Sequence, residues 1–252
     1  MNTKELIIIT GAGQGIGAFL AEKFSEKYFI VLVSKSNNCK EVANEINKKY
    51  PNSADYIKID FEKKINSKIF ETKINLKKFS NINLIFCAGY VDNFSEDIEI
   101  SEWKKVFNIN VFGHMEIFNY FLPKMKKSEN NSRIIFLSGG GAAGPFDTFP
   151  AYSASKTAIV RIVENLSLRY EKYNLSIFAI APGAIQTKML SKVLKKTNVG
   201  TKTSKEEVYA FIDYYMINNP KKLNGKLVHI RDDKSKIENN TNNNYLKLRR
   251  VE

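Results

Sequence analysis

Apolar residues in this chain come in short unbroken runs, and the stretches between them follow a different period. Leu6-Ile7-Ile8-Ile9, Ile30-Val31-Leu32-Val33, Leu84-Ile85-Phe86, Ile134-Ile135-Phe136-Leu137 and Ile177-Phe178-Ala179-Ile180-Ala181 are each too short for a helix and carry no polar alternation. That is how strands buried on both faces read. The pattern predicts strands at 5–10, 29–34, 55–59, 82–87, 133–138, 175–181 and 226–230. Between them, apolar residues recur at helical spacing and predict helices over 14–27, 39–50, 101–127, 151–173 and 205–218, with Ser101 as an N-cap. Strands alternating with helices at this spacing imply an α/β fold: a doubly wound parallel sheet of about seven strands with helices on both faces. In such sheets ligands bind beyond the carboxyl ends of the strands.

Two segments break the pattern. Residues 190–203 are polar and Lys-rich, which suggests a mobile segment. Residues 232–252 form a polar C-terminal tail in which the apolar residues of 245–250, Tyr245, Leu246 and Leu248, suggest docking. With no internal repeat and no second core, 1–252 is expected to form one domain.

Composition adds little to this picture. The net charge is +13, but the lysines are scattered among many asparagines, which reads as a solvated basic surface and not as a nucleic-acid footprint. No apolar stretch approaches the roughly 20 residues of a membrane span. The run at 6–9 reads as too short for a signal peptide, so none is expected, and Cys39 and Cys87 show neither a disulfide framework nor metal spacing. A cytoplasmic protein without a membrane, metal or nucleic-acid role is the expectation.

Candidate chemistry sits in two motifs. Thr10-Gly11-Ala12-Gly13-Gln14-Gly15-Ile16-Gly17 follows a strand and opens a helix. Glycines there allow a tight turn and close backbone approach, and the helix N-terminus offers free amides to a pyrophosphate. This is the loop of a Rossmann-type fold. The second strand ends in Ser34-Lys35-Ser36, with no acid to hold ribose hydroxyls or repel a 2′-phosphate. That favours NADP(H) over NAD(H). Asp60, after the third strand, could accept from an adenine amine or cap a helix.

The second motif is Tyr152-Ser153-Ala154-Ser155-Lys156. Tyr152 and Lys156 share a helix face. A fixed ammonium favours the phenolate of a neighbouring tyrosine. Such a phenol can give a proton to a carbonyl oxygen or take one from an alcohol. His114 and His229 read as core or surface residues, and Trp103 as packing.

Taken together these residues resemble the short-chain dehydrogenase/reductase family, in its compact single-domain branch. The resemblance spans roughly residues 4–230 and rests on Thr10–Gly17, on Asn110 in Asn108-Ile109-Asn110-Val111, on Tyr152 with Lys156, and on Pro182-Gly183 with Thr187. It implies that Tyr152, Lys156, Ser138 and Asn110 are catalytic, with Asn110 holding a water in a proton relay. It implies that Gly11, Gln14, Gly15, Ile16, Gly17, Ser34, Lys35, Asp60, Ala88, Gly89, Lys156, Pro182, Gly183 and Thr187 hold the cofactor. It also implies a homodimer or homotetramer, consistent with excess apolar surface on helices 101–127 and 151–173.

The chain departs from the family pattern in three places. Cys87-Ala88-Gly89 stands where the family has Asn-Ala-Gly. The usual position of the catalytic serine is Gly139, so that Ser138 must reach from one residue earlier. The family's Asp-Gly-Gly ending is missing. The function implied is hydride transfer between a nicotinamide and a carbonyl or secondary alcohol of a small molecule. The alternative is a catalytically impaired dinucleotide-binding protein that regulates or scaffolds. A nucleotide-sugar epimerase would need a larger C-terminal domain, and a basic RNA-binding role ranks behind both.

Overall fold

The computed structural model describes residues 4–93, 95, 97–194, 196, 202–218, 220–233, 235 and 237. The chain runs β1 Leu6–Thr10, α1 Gly15–Phe24, β2 Phe29–Ser34, α2 Asn38–Lys49, β3 Ala54–Lys58 and α3 Ile69–Lys73. It continues with β4 Ile82–Phe86, α4 Ile100–Phe107, α5 Gly113–Met125, β5 Ser132–Leu137 and α6 Pro150–Arg169. The last described elements are β6 Leu175–Ala181, β7 Ala184–Ile185, α7 Lys188–Val193, β8 Lys202–Thr203, α8 Lys205–Ile217 and β9 Leu227–His229.

Seven strands form one parallel sheet in the order β3-β2-β1-β4-β5-β6-β9. The unbroken apolar runs are explained by what covers them. Ile7 and Ile9 face one core cluster, shared with α1, α2 and α8. Leu6 and Ile8, alternating with them, face a second cluster under α5 and α6. A strand with both faces covered cannot alternate apolar with polar. After β3 the chain crosses to the other side of β1, so β1 and β4 are neighbours around a topological switch point. The crevice outside their carboxyl ends is where this architecture binds ligands.

Two expectations are corrected. The helix predicted over 101–127 is two helices, α4 and α5, joined by a π turn over Asn108–Phe112 in which Gly113 N–H donates to Asn108 O. Apolar periodicity could not reveal this, because the π turn is a local change of hydrogen-bond partner inside a stretch apolar on both sides of it. The N-cap position is Glu99, with Ser101 inside the first turn. Within 190–203 the described residues include the end of α7 and β8, with Lys202–Thr203 paired in parallel to Ala184–Ile185, while 195 and 197–201, within the segment expected to be mobile, lie outside the described residues. Of the C-terminal tail, Ile237 packs into the first core cluster. The docking expected of 245–250 lies outside the described residues.

Candidate active site

Strand β1 delivers Thr10 to the glycine turn. Gly11 and Gly15 take φ of +66° and +64°, and a Cβ on Gly11 would lie 2.8 Å from the Ala88 backbone. Side chains larger than hydrogen are therefore excluded where two strand ends meet. Gln14 precedes α1 in extended backbone and makes no side-chain cap, and the first turn holds no acid. The α1 amides and the positive end of its dipole stay available to an anion.

The end of β2 comes up against this turn. A Cβ on Gly13 would lie 2.8 Å from Ser34 Oγ and 3.0 Å from Ser36 Oγ. Lys35 does not stand free. Its Nζ lies 2.6 Å from Glu62 and 3.2 Å from Asp60, and these carboxylates raise its pKa. Asp60 accepts from Glu62 N–H at 3.1 Å in a turn, with no helix starting there, so its helix-cap alternative is not realised. Glu62 is a residue that motif reading missed. An acid two positions past Asp60 carries no recognisable spacing signal.

Every residue expected to hold the cofactor lines one cleft of about 1490 Å³, which also exposes Tyr152, Lys156 and Ser138. The cleft is large enough for a dinucleotide and a small substrate, and its glycine cradle and uncapped helix end fit a pyrophosphate. Thr187 caps α7, its hydroxyl accepting from Leu190 N–H at 3.2 Å.

Helix α6 carries the tyrosine. Pro150 starts it, and Phe149 at the N-cap offers no polar side chain. The cap comes from elsewhere in the chain: buried Asp92, 60 residues earlier, accepts from Tyr152 N–H at 3.1 Å. Sequence reasoning passed over Asp92, because a cap supplied across space leaves no local motif. Lys156 follows one turn on, its Nζ 5.5 Å from the Tyr152 ring centre and donating to Leu137 O at 2.9 Å.

Burial pushes the Tyr152 phenol up to about 12 and the Lys156 ammonium down to about 8. The expected lowering of the phenol by its neighbour is therefore not what the protein alone produces. Desolvation penalises both charged forms, and the ammonium spends a hydrogen bond on a carbonyl.

Asn110 lies behind the cleft, fully buried in the π turn. Its Nδ2 donates to Tyr90 O and to Ser155 Oγ, both at 2.9 Å, and its Oδ1 accepts from Tyr90 N–H at 2.7 Å. Both amide protons are committed, so a relay water would have to bind elsewhere than the amide nitrogen. Ser155 thereby holds the Asn110 amide in place. His114 is also buried: its Nε2 lies 3.2 Å from Thr10 Oγ1, which accepts from Ala88 N–H at 3.1 Å. Burial lowers its pKa to about 3, so the ring is neutral. This pair ties β1 to the Cys87-Ala88-Gly89 turn, where Cys87 supplies no amide.

Ser138 is the clearest departure. Its hydroxyl is buried and donates to Lys156 O at 3.3 Å. The residue that faces the phenol is Gly139, where a Cβ would lie 3.1 Å from Tyr152 Oη. Ser138 lines the same cleft as Tyr152, but its hydroxyl is committed to the α6 backbone and the neighbouring residue is the one beside the phenol, as alternation at a strand end favours.

With this geometry in view, comparison with known proteins is decisive. A family model described as short chain dehydrogenase matches residues 5–198. The chain belongs to the short-chain dehydrogenase family. It is an oxidoreductase. An uncharacterised oxidoreductase of Schizosaccharomyces pombe is 27% identical over 245 residues, covering 89% of this chain and 96% of the relative. An NAD-dependent glycerol dehydrogenase of Listeria innocua is 28% identical, covering 75% and 74%. Among solved structures, a short chain dehydrogenase from Shigella flexneri superposes with a TM-score of 0.80 at 19% identity, covering 90% of this chain and 91% of that one. Among the described residues no helix is long and apolar enough to cross a membrane, and no cluster of His, Cys, Asp and Glu could hold a metal.

Proposed function

We propose that this dehydrogenase interconverts a carbonyl and a secondary alcohol, with Tyr152 as the general acid and base. The observation that carries the reading is the placement of a half-buried phenol one helical turn from a buried ammonium, in a cleft continuous with the glycine turn. Nicotinamide bound in this cleft supplies or accepts the hydride. Tyr152, protonated through the neutral range, donates to the developing alkoxide in the reductive direction. Lys156 steadies the negative charge that builds on the phenol oxygen. Asn110 and Asp92 hold the backbone of Tyr90 and the first turn of α6 in place. Ser138 anchors α6 to the end of β5, and with Gly139 at the facing position Tyr152 is the only side-chain hydroxyl we assign to the carbonyl oxygen.

The cofactor reading is NADP(H) ahead of NAD(H). Ser34 and Ser36 flank the turn without an acid, and Lys35 is held by exposed ion pairs, which are weak enough to be exchanged for a phosphate. Relatives point both ways: the Listeria enzyme is named as NAD-dependent, while a chain from Escherichia coli, TM-score 0.80 at 18% identity, was solved as a short chain dehydrogenase complex with NADPH. A homodimer or homotetramer is proposed from exposed Phe112 and Leu168 on the helices that cover one sheet face.

The test is a carbonyl and alcohol panel followed at the nicotinamide absorbance, with fluorescence titration of NADPH and NADH. Tyr152→Phe should lower turnover by about 10²–10⁴ while leaving cofactor affinity unchanged. Ser138→Ala should cost less than tenfold. Tyr152→Phe with near-normal turnover would remove the mechanism. Tighter NADH than NADPH binding would reverse the cofactor assignment, as Ser34→Asp is expected to do.

A further inference from the structure

The end of the cleft beyond Tyr152 is built differently from the cofactor end. Its wall is Tyr90, Pro145, Phe146, Met189, Leu190 and Val193. Behind it lies a small separate core of Val91, Phe149 and Val193, against which Phe146, Met189 and the Tyr152 ring pack. Phe146 meets Phe149 edge to face at 5.5 Å, so the aromatic wall is fixed by its own packing. Met189 reaches furthest in. Its Cε lies 3.3 Å from where a Cβ on Gly89 would be, a point 3.8 Å from Asn110 Oδ1 and 3.9 Å from Lys156 Nζ. The Met189 methyl therefore closes this wall against the Gly89 turn.

Tyr90, which lines this wall, and Ser153 and Lys192 beside it are engaged with protein. Tyr90 Oη donates to Glu102 at 3.1 Å. Ser153 Oγ donates to Gly141 O at 2.7 Å. Lys192 Nζ donates to Val91 O and Asn93 Oδ1, both at 2.9 Å. Gln186 and Lys188, which also line the cleft, are exposed. A substrate with several hydroxyls would lose their water here and meet carbon, which is costly for each unpaired group. A hydrocarbon body meets matching surface.

We infer that the substrate is a ketone, or the matching secondary alcohol, whose non-reacting part is an unhydroxylated hydrocarbon seated on Phe146, Met189, Leu190 and Val193. This rests on the redox reading of the same site and adds the class of molecule. It separates this chain from relatives named for a polyol or a sugar, such as the glycerol dehydrogenase of Listeria innocua and a glucose 1-dehydrogenase of Gluconobacter oxydans that is 30% identical over 196 residues.

The experiment measures kcat/KM on the full chain, with the tighter-binding nicotinamide cofactor, for straight-chain methyl ketones of increasing length, acetophenone, dihydroxyacetone and fructose. Each added methylene should raise kcat/KM by about fourfold until the wall is covered, the equivalent of about 0.8 kcal/mol per buried methylene. The best ketone should exceed dihydroxyacetone by at least about 10²-fold, the scale at which apolar pockets discriminate. Phe146→Asn should flatten the chain-length slope without changing cofactor affinity. Equal or better turnover of dihydroxyacetone or fructose overturns the inference and leaves the redox reading standing. Turnover of neither class, with cofactor bound, removes both.

Discussion

The two ends of the same parallel sheet use polar residues in opposite ways. At the amino end the side chains are spent on each other. Glu5 accepts from Asn83 Nδ2 and from Arg133, each at 2.8 Å, and Asn83 Oδ1 accepts from Arg133 N–H at 3.0 Å. Asn81 accepts from Ser132 Oγ at 2.7 Å and donates to Asn131 O at 2.8 Å. At the carboxyl end β1, β4 and β5 run into turns of small residues, at Gly11, at Cys87-Ala88-Gly89 and at Ser138-Gly139, and the neighbouring polar groups border an open cleft. One end closes the ladder between β1, β4 and β5, and the other leaves room for a ligand. Polar burial at the first should therefore govern stability, and at the second, turnover.

The largest effect expected from breaking this contrast is at the amino end. Asn83 is fully buried, and Asn83→Leu strands Arg133 N–H and part of Glu5. It should destabilise the fold by about 2 kcal/mol, since unpaired buried groups keep their full desolvation cost. For a domain of this size that lowers Tm by roughly 4–8 °C. Calorimetry and steady-state kinetics on one preparation check it, with kcat expected within twofold of the parent. A large loss of kcat at unchanged Tm would erase the distinction between the two ends.

Next in size is Asp92, the carboxylate that caps α6 from across the fold. Asp92→Ala should lower kcat by about tenfold, through a looser first turn around Tyr152, with KM for the cofactor little changed. Asp92→Asn keeps an acceptor oxygen and should recover most of the loss. If Asp92→Ala lowers Tm and leaves kcat alone, the cap serves only stability.

The smallest effect sharpens the carboxyl end alone. Burial depresses the Lys156 pKa to about 8, so its charge is present below that pH and lost above it. The rate of carbonyl reduction should fall as pH rises through about 8, by roughly twofold at the midpoint. Lys156→Met should abolish this limb of the profile along with most activity. A flat profile to pH 10 would show that the ammonium does not titrate there.

Much of this molecule was legible along the chain. The sheet, its covered faces and the glycine turn follow from apolar runs and from where glycine falls. These are local signals, because a strand's burial and a turn's dihedral angles are written in neighbouring residues. The pairing of Tyr152 with Lys156 is likewise a matter of helical spacing. The π turn at Asn110 was not legible, since it is a local change of hydrogen-bond partner inside a stretch apolar on both sides of it.

What only the tertiary structure decided is which groups are already spoken for. Sequence alone determined that a hydroxyl, an amide, an ammonium and a phenol lie near the same strand ends. It did not determine that Ser138 turns to Lys156 O, that Gly139 faces the phenol, that Lys35 leans on Glu62, or that Asp92 caps α6. A hydrogen bond joins residues distant in the chain at a cost of fractions of an ångström in position, and direction at a strand end reverses with each residue. Spacing can place a residue at a site. Only packing sets where its side chain points and how far burial moves its pKa, and here burial moved the Tyr152 phenol opposite to the direction its neighbour alone suggests.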